Sequence, residues 1–211
     1  MAVLRSRRKK VMAGQDGRDP ISPPLSEHGD QDVKVAFLPA FRHHPAGVAI
    51  VTGDPGDGPV ALTISSLISI SIEPPTVAFS LSEASSSAGA LMQCDTVVVH
   101  LVRQKDMQLA RLCATSGAAR FGADTAWARL PTREPYYPQV ATWFKARIFD
   151  RAHAPGACLI TAELIRVSPS AREPAEHETL VYANRTWHGL RPLEDPMRGP
   201  LVMWPDDSPT F

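Results

Sequence analysis

The sequence predicts a mainly β domain, a closed or nearly closed barrel with a few helices, and three observations carry the prediction. Over residues 61–81, apolar and small hydroxyl residues alternate with a period of two. Leu62, Ile64, Ile68, Ile70 and Ile72 keep one phase, and Thr63, Ser65, Ser69 and Ser71 keep the other. Strand-like segments outnumber helical ones, and short turns join neighbours, as at residues 53–59 (GDPGDGP) and at Pro155 with Gly156. Residues 96–102 (TVVVHLV) are apolar without alternation, the pattern of a strand covered on both faces.

The ordered part starts near Val35, Leu38 and Phe41, and residues 47–52 (GVAIVT) form a compact β-branched strand. The glycines that follow join strand to strand with no helix behind them, so they do not form a dinucleotide-binding phosphate loop. Next come the alternating strands, which Pro74 and Pro75 must interrupt because neither has an N–H to donate; Val77, Phe79 and Leu81 then restart the pattern. A polar small-residue face of this kind either meets solvent or lets a flat polar molecule lie close to the backbone. Residues 85–87 cap a short helix running to Met92, and residues 104–114 have helical spacing. A Pro- and aromatic-rich loop at 130–139 leads into strands at 143–150 and 159–167, and a final hairpin pairs 180–182 with 186–190 around Ala183, Asn184 and Arg185.

Composition limits the function classes. A chain of 211 residues with 44% hydrophobic content holds one domain with a real core. Lys plus Arg and Asp plus Glu are 22 each, so no global field draws the chain to nucleic acid or to an anionic membrane, and its ligand belongs in a pocket. Cys94, Cys113 and Cys158 are odd in number and without a CxxC, which argues against a disulfide framework or a metal site and for a reducing cytoplasm. The basic start (Arg5, Arg7, Arg8, Lys9, Lys10) has no apolar run after it and is not a signal peptide. No apolar run approaches the roughly 20 residues of a membrane helix. Residues 1–33 are expected to be a disordered solvated tail, residues 34–190 the folded domain, and residues 191–211 a Pro-rich extended arm.

From Phe41 to Leu190 the order of segments resembles the flavin reductase-like proteins, whose fold is an FMN-binding split barrel of Greek-key type. The resemblance rests on FRHHPAGVAIVT, on ALTISSLISISIEPP, on VVVHLV followed by MQLA and ARF, and on LVYANRTWHGL. It implies that Thr63, Ile64, Ser65 and Ser66 contact the flavin ring and ribityl chain, with Pro45 nearby. Backbone N–H groups there would stabilise a reduced, anionic flavin. It also implies that Ser80, Ser82, Ser85 and Ser87 hold the ribityl and phosphate groups, although residues 85–87 also fit a plain helix cap. His100 stands where the family often has asparagine, so it is either a flavin contact or a satisfied core histidine. Arg120 and Phe121 either pack against the flavin, the reading preferred here, or mark a helix end, and Tyr182 and Trp187 either wall the pocket or fill the end of the barrel.

Two departures from the family pattern bear on chemistry. Glu83 occupies the phosphate segment, where a basic residue is common. The turn histidine near the nicotinamide is absent, its position falling on Ala157 or Cys158, while His153 lies close by in the same turn. No residue of this chain is therefore assigned a catalytic proton transfer. Hydride transfer between two stacked rings depends mainly on their orientation. His43 and His44 point to opposite faces of a strand, and His177 and His188 lack partners at ligand spacing, so no metal site is expected. The resemblance implies a cytoplasmic, homodimeric NAD(P)H:flavin reductase that takes FMN or FAD with NADH or NADPH and supplies reduced flavin to a partner monooxygenase. The alternatives are an enzyme with tightly bound flavin acting on another donor or small organic substrate, and a non-catalytic flavin-binding protein.

Overall fold

The computed structural model of the protein describes residues 30–172 and 179–190. The expected tail up to residue 29, the arm from residue 191, and His177 lie outside these residues. The chain divides into two compact units, residues 1–39 and 40–211. Described residues of the first unit, 30–39, belong to helix α1 (Asp30–His43), which carries Pro39 inside it and Arg42 and His43 in its last turn. Cations there suit the partial negative charge of a helix C-terminus.

The second unit is built on strands. Ala46–Gly47 (β1) and Ala49–Gly53 (β2) are followed by Val60–Ile64 (β3), Ile68–Ile72 (β4) and Pro75–Ser82 (β5). Helix α2 (Ser86–Leu91), strand β6 (Thr96–Leu101) and helix α3 (Met107–Ala114) come next, then a two-residue pair Ala128–Arg129 (β7) and Pro135–Tyr136 (β8) inside the expected loop. The long strands Thr142–Ala154 (β9) and Ala157–Val167 (β10) turn at Pro155 and Gly156, the latter at φ 78° as the third position of a type II turn requires. Leu180–Ala183 (β11) and Thr186–Gly189 (β12) close the chain's described part.

Seven strands form one antiparallel sheet in the order β3-β2-β6-β9-β10-β5-β4, and β1-β11-β12 form a second. The fold is mainly β, and its barrel is split rather than closed: no ladder joins β3 to β5. The Ser66 hydroxyl bridges that gap. It donates to Ser80 O at 3.1 Å and accepts from Ser80 N–H at 3.0 Å, using the free edge that β5 keeps beyond its pairing with β4.

Strand β2 explains why two cores form. Ala49 and Val51 face a barrel interior with Phe79, Leu81, Val97, Val99, Ile148 and Ile160, while Val48 and Ile50 face a second cluster with Ala61, Ala110, Cys113, Tyr137 and Leu180. Every residue of β2 is buried, which is why its sequence shows no polar phase. Burial of each such aliphatic side chain contributes about 1.5–3 kcal/mol. In β6, Val97 to His100 are likewise buried on both faces, as the unbroken apolar run predicts.

The alternating segment is corrected by the structure. The two strands expected over residues 61–81 are three, because the chain bends at residues 65–67 between β3 and β4. All five residues of β4 are exposed, and Ile68, Ile70 and Ile72 present their side chains outward with Phe149 and Leu159. A period of two identifies a strand with an apolar face; it does not say whether that face meets the chain's own core.

At the far end of β2 and β6, a polar cleft of about 420 Å³ is lined by Asp54, Asp95, Thr96, Arg129 and Glu134 among others. Its charges answer one another: Arg129 pairs with Asp54 at 2.7 Å, and buried Glu134 receives Lys145 Nζ at 2.8 Å and the Thr96 hydroxyl at 2.7 Å. Burial pushes the Glu134 carboxyl up, but Lys145, Thr132 and Thr96 outweigh it and hold the group below the usual carboxylate range. Lys145→Met would leave this carboxylate unpaired beside the cleft. The expected loss is about 2 kcal/mol, moderated by water in the cleft, read as a lower urea midpoint at unchanged slope.

Candidate functional site

The site lies where β3 ends. Thr63 Oγ1 donates to Ala110 O at 2.7 Å, pinning β3 to α3, and the bend after Ile64 leaves Ser65 exposed on the rim. Two cavities meet there. One of about 180 Å³ is lined by Val48, Thr63, Ile64, Ser65, Ala114, Tyr182 and Trp187. The other, of about 550 Å³, shares Ser65 and Tyr182 with it and extends past Ser66 and Ser80 to Arg42, His44, Asn184 and Arg185. Tyr182 and Trp187 are cross-strand partners in β11 and β12, their rings edge to face at 5.0 Å, so they wall the groove. No carboxylate lines either cavity.

Of the residues singled out from sequence, Thr63, Ile64, Ser65, Ser66 and Ser80 come together on this groove. Pro45 is exposed between His44 and Ala46, both of which line it. Ser82 is exposed at the end of β5, opposite Ala157. Ser85 is the N-cap of α2, its hydroxyl accepting from Ala88 N–H at 3.4 Å, so the cap reading describes its role in this structure. Ser87 is buried and accepts from Arg120 Nη1 at 2.6 Å.

Arg120, read from sequence as packing against the flavin, is a cation beside the serine segment that arrives from the loop after α3. Its Nη2 donates to Thr115 O at 2.7 Å. Its Nε is the buried side-chain nitrogen that has no partner among the described residues, a costly state for a charged donor. Phe121 stacks on Tyr137 at 5.5 Å and 10°, and meets Trp127 edge to face at 5.2 Å; it packs in the second core beneath the groove.

His100 does not line the groove. It is fully buried; Nδ1–H donates to Ile50 O at 3.1 Å, and Nε2 accepts from Tyr137 N–H at 3.1 Å. Both ring nitrogens are spent on backbone, and burial pushes its pKa down to about 4, so the ring is neutral at pH 7. Its influence on the site is indirect: Tyr137, fixed by this bond, donates its hydroxyl to Arg120 O at 3.0 Å. Burial pushes that phenol well above its ordinary range. Beside the β9–β10 turn, Cys158 is buried, and His153, its partner in register, is an exposed residue of β9 rather than of the turn, 3.6 Å from Glu83.

Arg42, His44 and Arg185 were missed as site residues. In the sequence, His43 and His44 stand out only as metal-ligand candidates, and residues 183–185 only as a turn. The groove offers small side chains beside accessible backbone, an aromatic wall, and the guanidinium groups of Arg42 and Arg185. It suits a flat, polar, anionic-tailed ring.

Comparison with known proteins agrees. Residues 41–191 match the family model described as flavin reductase like domain. The chain is similar to an NADH:FMN oxidoreductase of Rhodococcus qingshengii, with 34% identity over 157 residues, covering 74% of this chain and 82% of that protein. It is also similar to an NADH:riboflavin 5'-phosphate oxidoreductase of Streptomyces pristinaespiralis, with 28% identity over 184 residues, 86% of this chain and 97% of that one. Among solved structures, a flavin reductase domain protein from Arthrobacter sp. FB24 superposes with a TM-score of 0.71 at 26% identity, covering 78% of this chain and 99% of that one.

Proposed function

Because the chain belongs to the flavin reductase like domain family, we propose that it reduces FMN or FAD with NADH or NADPH and supplies the reduced flavin to a partner monooxygenase. The observation that carries this reading is the pair of cavities meeting at Ser65, with the unpartnered Arg120 Nε beside the serine segment. The relatives named above as NADH:FMN and NADH:riboflavin 5'-phosphate oxidoreductases support the same pairing of substrates.

The flavin, when bound, supplies the hydride-accepting ring. This chain's residues do the holding. Thr63, Ile64, Ser65 and Ser66 would bring small side chains and backbone against one side of the ring, with Tyr182 and Trp187 excluding water along the wall. Ser80 and Ser82 continue along β5, and Arg120 at Ser87 would answer a phosphate, its Nε–H gaining the acceptor it lacks. His100 acts as a positioning residue through Tyr137. No side-chain acid or base is assigned, consistent with transfer governed by the alignment of two rings.

The flavin-binding domain is assigned to residues 34–190. A homodimer accounts for the outward apolar side chains of Ile68, Ile70 and Ile72 beside Leu159 and Phe149, which a second copy would cover. A cytoplasmic location fits three free cysteines and the lack, among the described residues, of a helix long and apolar enough to cross a membrane.

The test is an anaerobic absorbance titration with FMN and FAD in turn, before and after NADH or NADPH. Bleaching of the flavin band at catalytic protein concentration is expected. Binding without bleaching by either nucleotide would overturn the reductase reading and move the search to another electron donor.

A further inference from the structure

We propose that Arg42 and Arg185 form an anion pole of the groove that holds the phosphates of the reducing dinucleotide, distinct from the Ser87–Arg120 pair outside the groove's lining; the inference rests on the NAD(P)H:flavin reading above. Eleven residues line the larger cavity, and they include two arginines and His44 but no aspartate or glutamate. In a chain whose charges balance at 22 against 22, that is a local concentration of one sign, which attracts anions into a cleft. Neither arginine has an ion pair among the described residues.

Ordinary structural roles account for only one of the two. Arg42 sits in the last turn of α1, where a cation suits the helix dipole. Arg185 has no such reason to be where it is. Asn184 and Arg185 are the central residues of the two-residue β11–β12 hairpin, both in the left-handed region at φ 47° and 59°. The second of these positions favours glycine, because a side chain there carries a steric cost that glycine does not. A strained position that keeps a long cationic side chain on a cavity wall points to use of that side chain.

The two arginines are also placed on one frame. Asn184 N–H donates to Arg42 O at 2.6 Å, tying the hairpin turn to the end of α1. A pair of planar guanidinium groups matches the oxygens of a pyrophosphate. Since Ser65 lines both cavities, a ring over Ser65 and a dinucleotide entering past Arg42 and Arg185 would meet at the same residue. The Ser87–Arg120 pole already lies on the segment assigned to the flavin phosphate, so a second pole answers the second phosphorylated ligand.

The experiment uses the full chain with Arg42→Gln, Arg185→Gly and the double substitution. KM for NADH is measured with riboflavin and with FMN as acceptor, and Kd for FMN and riboflavin by fluorescence quenching. Each single change is expected to raise KM for NADH about 10-fold, with either acceptor, the loss falling on KM rather than kcat, and to leave Kd for FMN in place. Arg185→Gly should also melt higher than the parent, since glycine relieves the turn, so a folding defect cannot mimic the result. The salt dependence of KM for NADH should flatten in the double variant. An unchanged KM in the double variant overturns the proposal. So does a weaker Kd for FMN against an unchanged Kd for riboflavin, which would assign the pole to the flavin phosphate. A parent protein that binds flavin but is inert to both NADH and NADPH overturns the underlying reading, and that result appears before any variant is made.

Discussion

Ser65→Trp is expected to weaken flavin binding by about 100-fold while moving the melting temperature very little. Ser65 is exposed, makes no hydrogen bond through its side chain among the described residues, and lines both cavities. An indole there fills the space in which a ring would lie, and steric exclusion of this kind discriminates strongly. Exposed sites without packing duties usually change stability by no more than about 0.5 kcal/mol. Ser65→Ala is the informative control: if small size beside the backbone is what matters, it retains binding. Fluorescence quenching of FMN and a thermal melt decide the matter, and a Ser65→Trp protein that binds FMN as tightly as the parent would remove the groove from consideration as the flavin site.

The second large effect is acid sensitivity centred on His100. Its pKa lies near 4 in the fold against about 6.5 in the unfolded chain, because burial disfavours the cation more than the bond to Ile50 O favours it. The unfolded state therefore takes up a proton first as pH falls. The stabilisation from the neutral ring is complete above about pH 6.5, declines between there and pH 4, and is gone below, a loss of about 3 kcal/mol. Urea unfolding at stepped pH should show this slope well above the range in which Glu134 and Asp54, both held low, begin to matter. His100→Asn is expected to flatten the slope, since an amide offers a donor toward Ile50 O and an acceptor for Tyr137 N–H without titrating. An unchanged slope in that variant would place the acid sensitivity elsewhere.

How far the sequence could be read depended on whether a feature is local. Strands such as β2 and β6 declared themselves through composition, the Ser85 cap through its position before an apolar run, and the β9–β10 turn through Pro155 and Gly156. The serine-bearing rim came from the family resemblance of residues 61–75, since the period of two alone runs on into the exposed β4. Three things were not legible, and each depends on residues distant in the chain. The bend at residues 65–67 turns an apparently continuous alternation into an inner strand and an exposed one. Arg120 reaches Ser87 across 33 positions, so no local pattern could supply the missing cation. Arg42 and Arg185 share a wall because the β1–β11 pairing and the Asn184 N–H to Arg42 O bond bring a helix end against a hairpin turn.

The Ser66 bridge sets the mechanics of the rim. A closed barrel would resist opening with a whole ladder of backbone bonds acting together, whereas here one hydroxyl and two hydrogen bonds to Ser80 span the gap. Breaking both costs about 1–3 kcal/mol, which corresponds to an open fraction of roughly one part in six to one part in 160. This makes the split in the barrel a door with a weak catch, one that thermal motion releases far more often than global unfolding does.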